Sequence, residues 1–438
     1  MRIIVLGAGH VGRAIVDALY EEHEITVIDT DADRLQGLAD RYDVRTVEGN
    51  GTTKRVVAEA GIQECSLFIA STSREEANLV SAMLVKKLSR AMVVVRTTSV
   101  EYLDAWRERE IDVDFMVSSE LETANAISGL IGIPAARQTD VFADGQVQIV
   151  EFDVPPNAAV VGTPLKRAEL PRDSKVVSII RGNEMRHPSG DESIEAGDRI
   201  VVIASPASAR QWSRVMSDEQ ERVDDIVIFG AGQMGTTIAR VLLDRGIRVR
   251  FVEGRAERAR EVAEELPEAR VFHASAFDPE FFQRERIGQA TAAVFALNDD
   301  PGNLFSAVLA KANGVKLTIA LAHDQSSLNV YERGGVDVAI NPRQVIAEEL
   351  VRFGHDPRIR QIAMLDDDRF EILDLTVRAE SELADTRFDQ LPKTGSVIGA
   401  LSRDGSPIFP RGDDILKPGD RVIVFVESKR ASLVERVL

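Results

Sequence analysis

Two hydrophobic patterns alternate along the first part of the chain. Nearly continuous apolar runs, first at residues 2–6 and then at 25–28, predict short strands that are buried on both faces. Between them Val11, Ile15 and Leu19 recur at the spacing of one helical face. The same pattern predicts further strands at 44–47, 67–70 and 93–95. Strands that alternate with helices in this way predict a doubly wound parallel sheet, which is an α/β fold.

A different pattern begins near residue 140. Short strands with alternating apolar residues are predicted at 147–154, 176–181 and 199–203, and proline, glycine and asparagine residues separate them. This pattern predicts a small α+β module that follows the parallel-sheet domain.

The whole arrangement then occurs a second time. The run Gly-Ala-Gly-His-Val-Gly at 7–12 returns 223 residues later as Gly-Ala-Gly-Gln-Met-Gly at 230–235. The Gly197-Asp198 pair of the first module likewise returns as Gly419-Asp420. Matches that keep one order at a near-constant spacing indicate a duplicated unit. We therefore predict two Rossmann-like domains, each followed by a small α+β module, and a polar joint at 217–222. The predicted boundaries are 1–118, 138–219, 224–343 and 364–438.

The first glycine run has the context of a dinucleotide-binding fingerprint. A strand precedes it, a helix follows it, and the next strand ends at Asp29. Gly7 allows a sharp turn, Gly9 lets a pyrophosphate approach the backbone, and Gly12 lets the helix pack closely on the sheet. Asp29 can accept hydrogen bonds from ribose hydroxyls, and its charge disfavours a 2′-phosphate. The pattern therefore favours an NAD-type or adenosine-type ligand over NADP, and the alternative is a Rossmann-like fold that has lost its ligand.

Composition narrows the range of partners and compartments. The chain has 438 residues and a formal net charge of −18, which disfavours both nucleic acid and the anionic surface of a membrane as partners. No apolar run is long enough to cross a bilayer, so we expect no direct membrane insertion. The first strand begins at once, which leaves no room for a signal peptide, and Cys65 is the single cysteine. A cytoplasmic protein is expected.

Several short motifs add to these patterns. Val47-Glu48-Gly49-Asn50-Gly51-Thr52 follows the third predicted strand, and Ala70-Ser71-Thr72-Ser73 follows the fourth, with Glu76-Ala77-Asn78 close behind. Arg96 ends the fifth strand. With the duplication, this order of motifs resembles the TrkA family, the cytosolic regulatory subunits of Trk potassium uptake systems. Their repeated domains are called RCK or KTN domains, and the resemblance covers nearly the whole chain.

The resemblance implies a function and its partners. Such subunits form rings, here expected to be a homo-oligomeric and tetrameric ring, beneath an integral-membrane potassium translocator. They are peripheral to the inner face of the plasma membrane through that partner. NAD(H), ADP or ATP changes the conformation of the ring, which gates the translocator.

The resemblance also implies a first site for NAD or NADH. Gly7, Ala8, Gly9, His10, Val11 and Gly12 would surround the phosphates. The adenosine ribose would be held by Asp29, with Thr30 beside it, and the adenine end would be lined by Asn50, Gly51 and Thr52. Ser71, Thr72 and Ser73 would lie at the carboxyl end of the fourth strand. Arg96 would face the phosphates or lie at a domain interface.

The second fingerprint departs from this pattern. Its expected cofactor-binding residues are Gly230, Gly232, Gln233, Met234, Gly235, Glu253 and Ser275. The loop after the third strand is His273-Ala274-Ser275-Ala276, and the position of Arg96 falls near Ala320 or Leu321. We expect a weaker or differently selective site, with ADP, ATP or NAD(H) as possible ligands. A purely structural second domain is the alternative.

The main functional alternative is an NAD-dependent oxidoreductase. Such an enzyme needs a general acid or base near its cofactor, and His187 is the one candidate in the first small module. Since the pattern contains no clear catalytic group, we expect a regulator without catalysis and without a metal site. Oligomerisation is expected to use exposed apolar faces of the crossover helices, around 127–133 and 345–351.

Overall fold

A computed structural model describes residues 1–133, 136–182, 184–216, 225–324, 327–354, 359–365, 369–391 and 396–438. The polar joint predicted at 217–222 lies outside these residues. The chain forms two compact units. The first comprises Met1–Ala124, Leu321–Val330 and Ile340–Asp356. The second comprises Asn125–Ala320, Tyr331–Ala339 and Pro357–Leu438.

The first domain is a six-stranded parallel sheet in the order β3-β2-β1-β4-β5-β6. Its strands are β1 (Arg2–Leu6), β2 (Glu24–Asp29), β3 (Arg45–Glu48), β4 (Leu67–Ala70), β5 (Met92–Thr97) and β6 (Phe115–Ser118). Its helices are α1 (His10–Leu19), α2 (Ala32–Ala39), α3 (Lys54–Glu59), α4 (Glu75–Leu88) and α5 (Val100–Arg107), and α6 (Ser119–Ile131) follows. The strand order reverses between β1 and β4, which opens a crevice at their carboxyl ends.

A five-stranded antiparallel sheet follows, in the order β10-β9-β11-β8-β7. Its elements are β7 (Ala136–Phe142), β8 (Val147–Asp153), β9 (Ser174–Arg181), β10 (Glu184–Arg186), β11 (Arg199–Ala204) and the helix α7 (Pro206–Met216). The α+β module predicted from the proline- and glycine-punctuated strands is confirmed.

The second half repeats both sheets. Its Rossmann-like sheet has the order β14-β13-β12-β15-β16-β17. The elements are β12 (Asp225–Phe229), α8 (Gln233–Asp244), β13 (Arg248–Glu253), α9 (Ala256–Glu265), β14 (Arg270–His273), α10 (Pro279–Arg284), β15 (Ala292–Phe295), α11 (Asp300–Ala312), β16 (Leu317–Leu321), α12 (Leu328–Arg333), β17 (Val338–Ile340) and α13 (Pro342–Val351). The two parallel sheets have the same topology, so the predicted duplication is confirmed.

The last sheet is antiparallel and has the order β18-β19-β22-β20-β21. Its elements are β18 (Ile359–Leu365), β19 (Phe370–Thr376), β20 (Ser396–Arg403), β21 (Ser406–Ile408), β22 (Arg421–Glu427) and α14 (Ala431–Val437). Side chains of both antiparallel sheets share one core cluster, which includes Phe142, Ile203 and Phe425. The two small modules therefore bury apolar surface together within the second unit.

The crossover helices do not present the exposed apolar faces that we predicted. In the first unit α13 packs against α1, and its Ile346 and Leu350 are fully buried. Ile127 and Ile131 of α6 are also buried. The prediction is wrong because the chain itself covers these faces, so they are not available to a second copy. No helix in the described part of the chain is long and apolar enough to cross a bilayer.

Candidate functional site

The first glycine turn is shaped by steric constraints. Gly7 has a φ of +110° and donates its N–H to the Ile28 carbonyl at 2.8 Å. A Cβ on Gly12 would lie 1.8 Å from the Gly7 carbonyl oxygen, which no side chain could tolerate. A Cβ on Gly9 would meet no atom within 4 Å. The turn therefore holds α1 tightly against β1 and leaves open space beside Gly9, at the helix N-terminus that favours anions.

Asp29 is tied to this turn through backbone hydrogen bonds. The Ala8 N–H donates to Asp29 Oδ2 at 2.6 Å, and the Asp31 N–H donates to Oδ1 at 2.9 Å. Each carboxylate oxygen can accept a further hydrogen bond, such as one from a ribose hydroxyl. Thr30, which follows β2 directly, is exposed. The acid is thus held beside the turn in the position that the fingerprint requires.

The loop after β3 closes on itself at the same end of the sheet. The Thr52 N–H and hydroxyl donate to Asn50 Oδ1 at 3.0 and 2.9 Å. A Cβ on Gly51 would lie 2.5 Å from a methyl group of Leu6, at the end of β1. Because this glycine has no side chain, the loop can approach the glycine turn closely.

Asn78 organises the loop after β4. It is fully buried, its Oδ1 accepts from the Thr72 N–H and hydroxyl at 3.0 and 2.6 Å, and its Nδ2 donates to the Thr72 and Arg96 carbonyls. The Ser71 hydroxyl donates to the Leu6 carbonyl at 3.2 Å, whereas Ser73 is exposed. Of the three predicted hydroxyls, two therefore shape the loop and one faces solvent.

Arg343 lies near both Arg96 and His10 at this edge of the first sheet. Arg96 Nε is buried and has no hydrogen-bond partner among the described residues. Burial lowers the pKa of Arg96, and Arg343 near it lowers it further, while Glu120 acts in the opposite direction. The pKa of His10 is also lowered, first by burial and then by Arg343. Burial raises the pKa of Glu120 to about 7, although Ser119 donates a hydrogen bond to its carboxylate at 2.8 Å.

Sequence reasoning missed Arg343. It lies in the first turn of α13, 247 residues after Arg96 and 333 after His10 along the chain. Its Nη1 donates to the His323 carbonyl at 2.9 Å. The packing of α13 against α1 brings it near His10. No local motif marks it, because its position depends on a tertiary contact.

The second glycine turn has the same geometry. Gly230 has a φ of +97°, and a Cβ on Gly235 would lie 2.0 Å from the Gly230 carbonyl oxygen. A Cβ on Gly232 would meet no atom within 4 Å. The Ala231 N–H donates to Glu253 Oε2 at 3.0 Å, as the Ala8 N–H does to Asp29. Gln233 and Met234 follow in the first turn of α8.

Beside this turn lies a cavity of about 630 Å³. Its lining residues are Gly230, Val252, Glu253, Gly254, His273, Ala274, Ser275, Ala276, Phe277, Leu297, Asn298 and Asp299. Burial alone would raise the pKa of Glu253, but hydrogen bonds from the backbone of Arg255 and Ala231 and from the Arg255 side chain bring it below its ordinary value. Glu253 is thus ionised and partly neutralised by Arg255.

Comparison with known proteins establishes the family. The TrkA-N domain matches residues 3–119 and 226–342, and the TrkA-C domain matches residues 149–216 and 372–438. The chain belongs to the TrkA family. The resemblance stated from the sequence motifs is confirmed.

TrkA-family relatives match over the full length of the chain. The Trk system potassium uptake protein TrkA of Halomonas elongata is 31% identical over 98% of this chain and 96% of its own length. A TrkA homolog of Archaeoglobus fulgidus is 29% identical and covers 100% of both chains. The protein of the same name from Haemophilus influenzae is 28% identical over 98% of this chain and 96% of its own length.

Solved structures share the TrkA-family fold. A structure described as the GsuK channel bound to NAD has a TM-score of 0.62 at 16% identity, and covers 100% of this chain and 78% of that one. The crystal structure of the GsuK RCK domain has a TM-score of 0.61, also at 16% identity, over 100% of this chain and 94% of that one. At this identity the likeness concerns the fold, and it agrees with the duplicated Rossmann-like architecture.

Proposed function

We propose that this TrkA-family chain is a nucleotide-sensing regulatory subunit of a Trk-type potassium uptake system. Nucleotide binding at its glycine-turn crevices changes the conformation of a homo-oligomeric ring, and the ring gates an integral-membrane translocator. The observation that carries this proposal is the pair of preserved glycine turns, each with an acid held by the second backbone N–H of the turn. The chain would be cytoplasmic and would reach the membrane through its partner.

The first crevice suits NAD or NADH. A pyrophosphate beside Gly9 would meet the N-terminus of α1, and Arg96 with its unpartnered buried Nε supplies a positive charge nearby. Asp29 would accept from the ribose hydroxyls and would repel a 2′-phosphate. Arg343 adds a second guanidinium, so ligands with more phosphate groups would gain more from this site.

The packing of α13 on α1 offers a route from ligand to conformation. A nucleotide bound at the N-terminus of α1 would touch the same helix that α13 covers, and Arg343 is carried by α13 itself. Ligands that engage Arg343 to different extents would favour different positions of α13. A ligand shifts a conformational equilibrium only through such a difference in its contacts with the two states.

Ring assembly has a different candidate surface from the one predicted. Val80 and Met83 on α4 are exposed, and so are Phe305 and Val308 at the equivalent positions of α11. Phe277 extends the second patch, with its ring centroid 5.8 Å from that of Phe305. Two equivalent apolar patches in one chain allow contacts that repeat around a ring, so we propose that second copies of this chain cover them, in a tetramer.

The position of His187, the one candidate general acid or base, does not support the oxidoreductase alternative. His187 lies just after β10, its ring packs edge-on against Phe425 at 5.9 Å, and its Nδ1 lies 3.2 Å from the Val177 carbonyl oxygen. It is not among the residues that line the cavity of the second crevice. We therefore retain the regulator without catalysis as our proposal.

Binding and turnover measured on the same protein test the proposal. Purified protein should bind NADH, seen as a shift in its fluorescence, and should oxidise no NADH in the presence of a panel of carbonyl compounds. Gly9→Asp should abolish tight NADH binding because a carboxylate would occupy the space of the pyrophosphate, whereas Gly9→Ala should retain it. NADH turnover that disappears in His187→Ala would overturn the proposal in favour of an enzyme, and co-purification with a potassium translocator would support it.

A further inference from the structure

The second crevice has the parts needed for an adenosine and one phosphate. Its cavity of about 630 Å³ includes Gly230 of the turn and Glu253, whose Oε2 accepts the Ala231 N–H. Gly232 leaves open space at the N-terminus of α8, and that helix end offers roughly half a positive charge to an anion. One phosphate beside Gly232 would therefore be stabilised without any positively charged side chain.

The loop after β15, which lines this cavity, differs in charge from the equivalent loop after β4 in the first domain. The buried asparagine that holds this loop is present in both domains: the Leu297 N–H donates to Asn303 Oδ1 at 2.7 Å, as the Thr72 N–H does to Asn78 Oδ1. We call this pair of contacts the asparagine clamp. This clamp aligns the two loops residue by residue. Leu297 then replaces Thr72, Asp299 replaces Arg74, and Leu321 replaces Arg96. No lysine or arginine is among the described residues that line the cavity.

Asp299 is held in place by the helix that it caps. Its Oδ1 accepts the Gly302 N–H at 2.8 Å, at the N-terminus of α11. A Cβ on Gly302 would lie 3.0 Å from both carboxylate oxygens, which shows how closely the carboxylate sits on this turn. Rotation of the carboxylate away from the cavity would cost the cap. The negative charge of Asp299 therefore stays in the cavity when a ligand binds, and it repels any phosphate group placed beside it.

We propose that Asp299 makes the second crevice select adenine nucleotides by their number of phosphates, so that it accepts AMP and rejects ADP, ATP and NAD(H). This inference rests on the proposed function, because it assumes that the crevice binds a nucleotide. A dinucleotide or polyphosphate extends from the glycine turn across the switch point of the sheet, toward the loop after β15. On this path the second crevice has the carboxylate of Asp299, at the position where the first domain has the guanidinium of Arg74.

The test isolates the second crevice and changes one charge. In a Gly9→Asp background, which removes the first site, isothermal titration should show AMP binding at least about tenfold more tightly than ADP or NADH. Asp299→Asn keeps a helix-capping side chain and removes the charge, so ADP should gain about tenfold in affinity while AMP changes little. Asp300→Asn is the matched control, because it removes an equal charge one residue away that does not line the cavity. Added salt should also reduce the difference in affinity between AMP and ADP, because it screens the charge of Asp299.

The possible results separate the two claims. Binding of AMP and ADP with equal affinity, or an equal response to Asp299→Asn and Asp300→Asn, would refute the selection by Asp299 and leave the second nucleotide site intact. No binding of AMP, ADP or NADH to either the Gly9→Asp protein or its Asp299→Asn derivative would instead refute the proposed second site. Asp299→Ser, another neutral capping residue, replaces Asp299→Asn if that variant fails to fold, as judged by its thermal melting curve.

Discussion

The two crevices share their glycine turns and differ in the wall that faces them. In both, a carboxylate accepts a hydrogen bond from the N–H of the residue after the first glycine. The third glycine of each turn packs against the carbonyl group of the first glycine. In the first domain Arg96 and Arg343 lie near each other at the edge of the sheet, whereas in the second domain Asp299 lines the cavity. The turn is constrained by backbone packing, so duplication preserved it. Side chains on the wall had no such constraint, and their charges diverged.

The asparagine clamp, like the glycine turn, is the same in both domains. Asn78 and Asn303 are both fully buried, and each pairs with the N–H and the carbonyl of one loop residue. A buried amide of this kind can be replaced only at the cost of leaving backbone groups without partners. The asparagine is therefore retained in both domains, because the backbone groups that it pairs are buried.

The largest expected effect concerns the shared turn. Gly12→Ala would place a Cβ within 1.8 Å of the Gly7 carbonyl oxygen, and Gly235→Ala within 2.0 Å of the Gly230 carbonyl oxygen. Each should destabilise its own domain by about 3 kcal/mol, measured as a lowered unfolding midpoint, and should abolish ligand binding there. Gly9→Ala is the matched control and should leave the midpoint nearly unchanged. A mild effect at one turn only would show that the two turns are not equally constrained.

Removal of the clamp asparagine should lower the free energy of unfolding somewhat less than the glycine substitutions do. Asn78→Ala leaves the Thr72 N–H and the Arg96 carbonyl without their partner, which should destabilise the first domain by about 2 kcal/mol. Asn303→Ala should do the same to the second domain. Chemical unfolding of both variants would check this. If Asn303→Ala proved neutral, the claim that both clamps are under the same constraint would fail.

Substitution of Arg343 should change nucleotide affinity at the first crevice and not at the second. Arg343→Ala should weaken NADH binding there by about tenfold and ATP binding by more, because it removes a positive charge beside Arg96 and His10. Arg343→Lys keeps the charge and should restore most of the affinity. Titration in a Gly232→Asp background isolates the first site. An equal loss for AMP and ATP would mean that Arg343 does not sense the length of the phosphate chain.

The smallest effect concerns pH and Glu120. Its folded pKa of about 7 lies above the value of about 4.3 for an unfolded glutamate, so the folded state holds this proton more tightly. The resulting stabilisation is complete below about pH 4.3 and is lost as the pH rises through 7. Glu120→Gln should therefore match the stability of the parent near pH 4 and increasingly exceed it as the pH rises to 8. Unfolding curves at both pH values test this, and an equal difference at the two would contradict it.

The sequence by itself determined the features that local chain geometry enforces. Alternating strand and helix patterns, glycines at forced turns and a repeat at near-constant spacing were enough to predict the α/β fold, its duplication and both glycine turns. They also predicted Asp29 and Glu253, because an acid at the end of the second strand is part of the same local motif.

Only the tertiary structure decided what covers each surface and which distant side chains meet. The packing of α13 on α1 buried a face that its apolar pattern alone could not distinguish from an intermolecular surface, and it placed Arg343 beside the first crevice. Asp299 caps α11 and also lines the cavity, and no local motif in the sequence marks the second of these positions. Such placements depend on contacts between segments far apart in the chain, and hydrophobic periodicity carries no information about the partner that a face will meet.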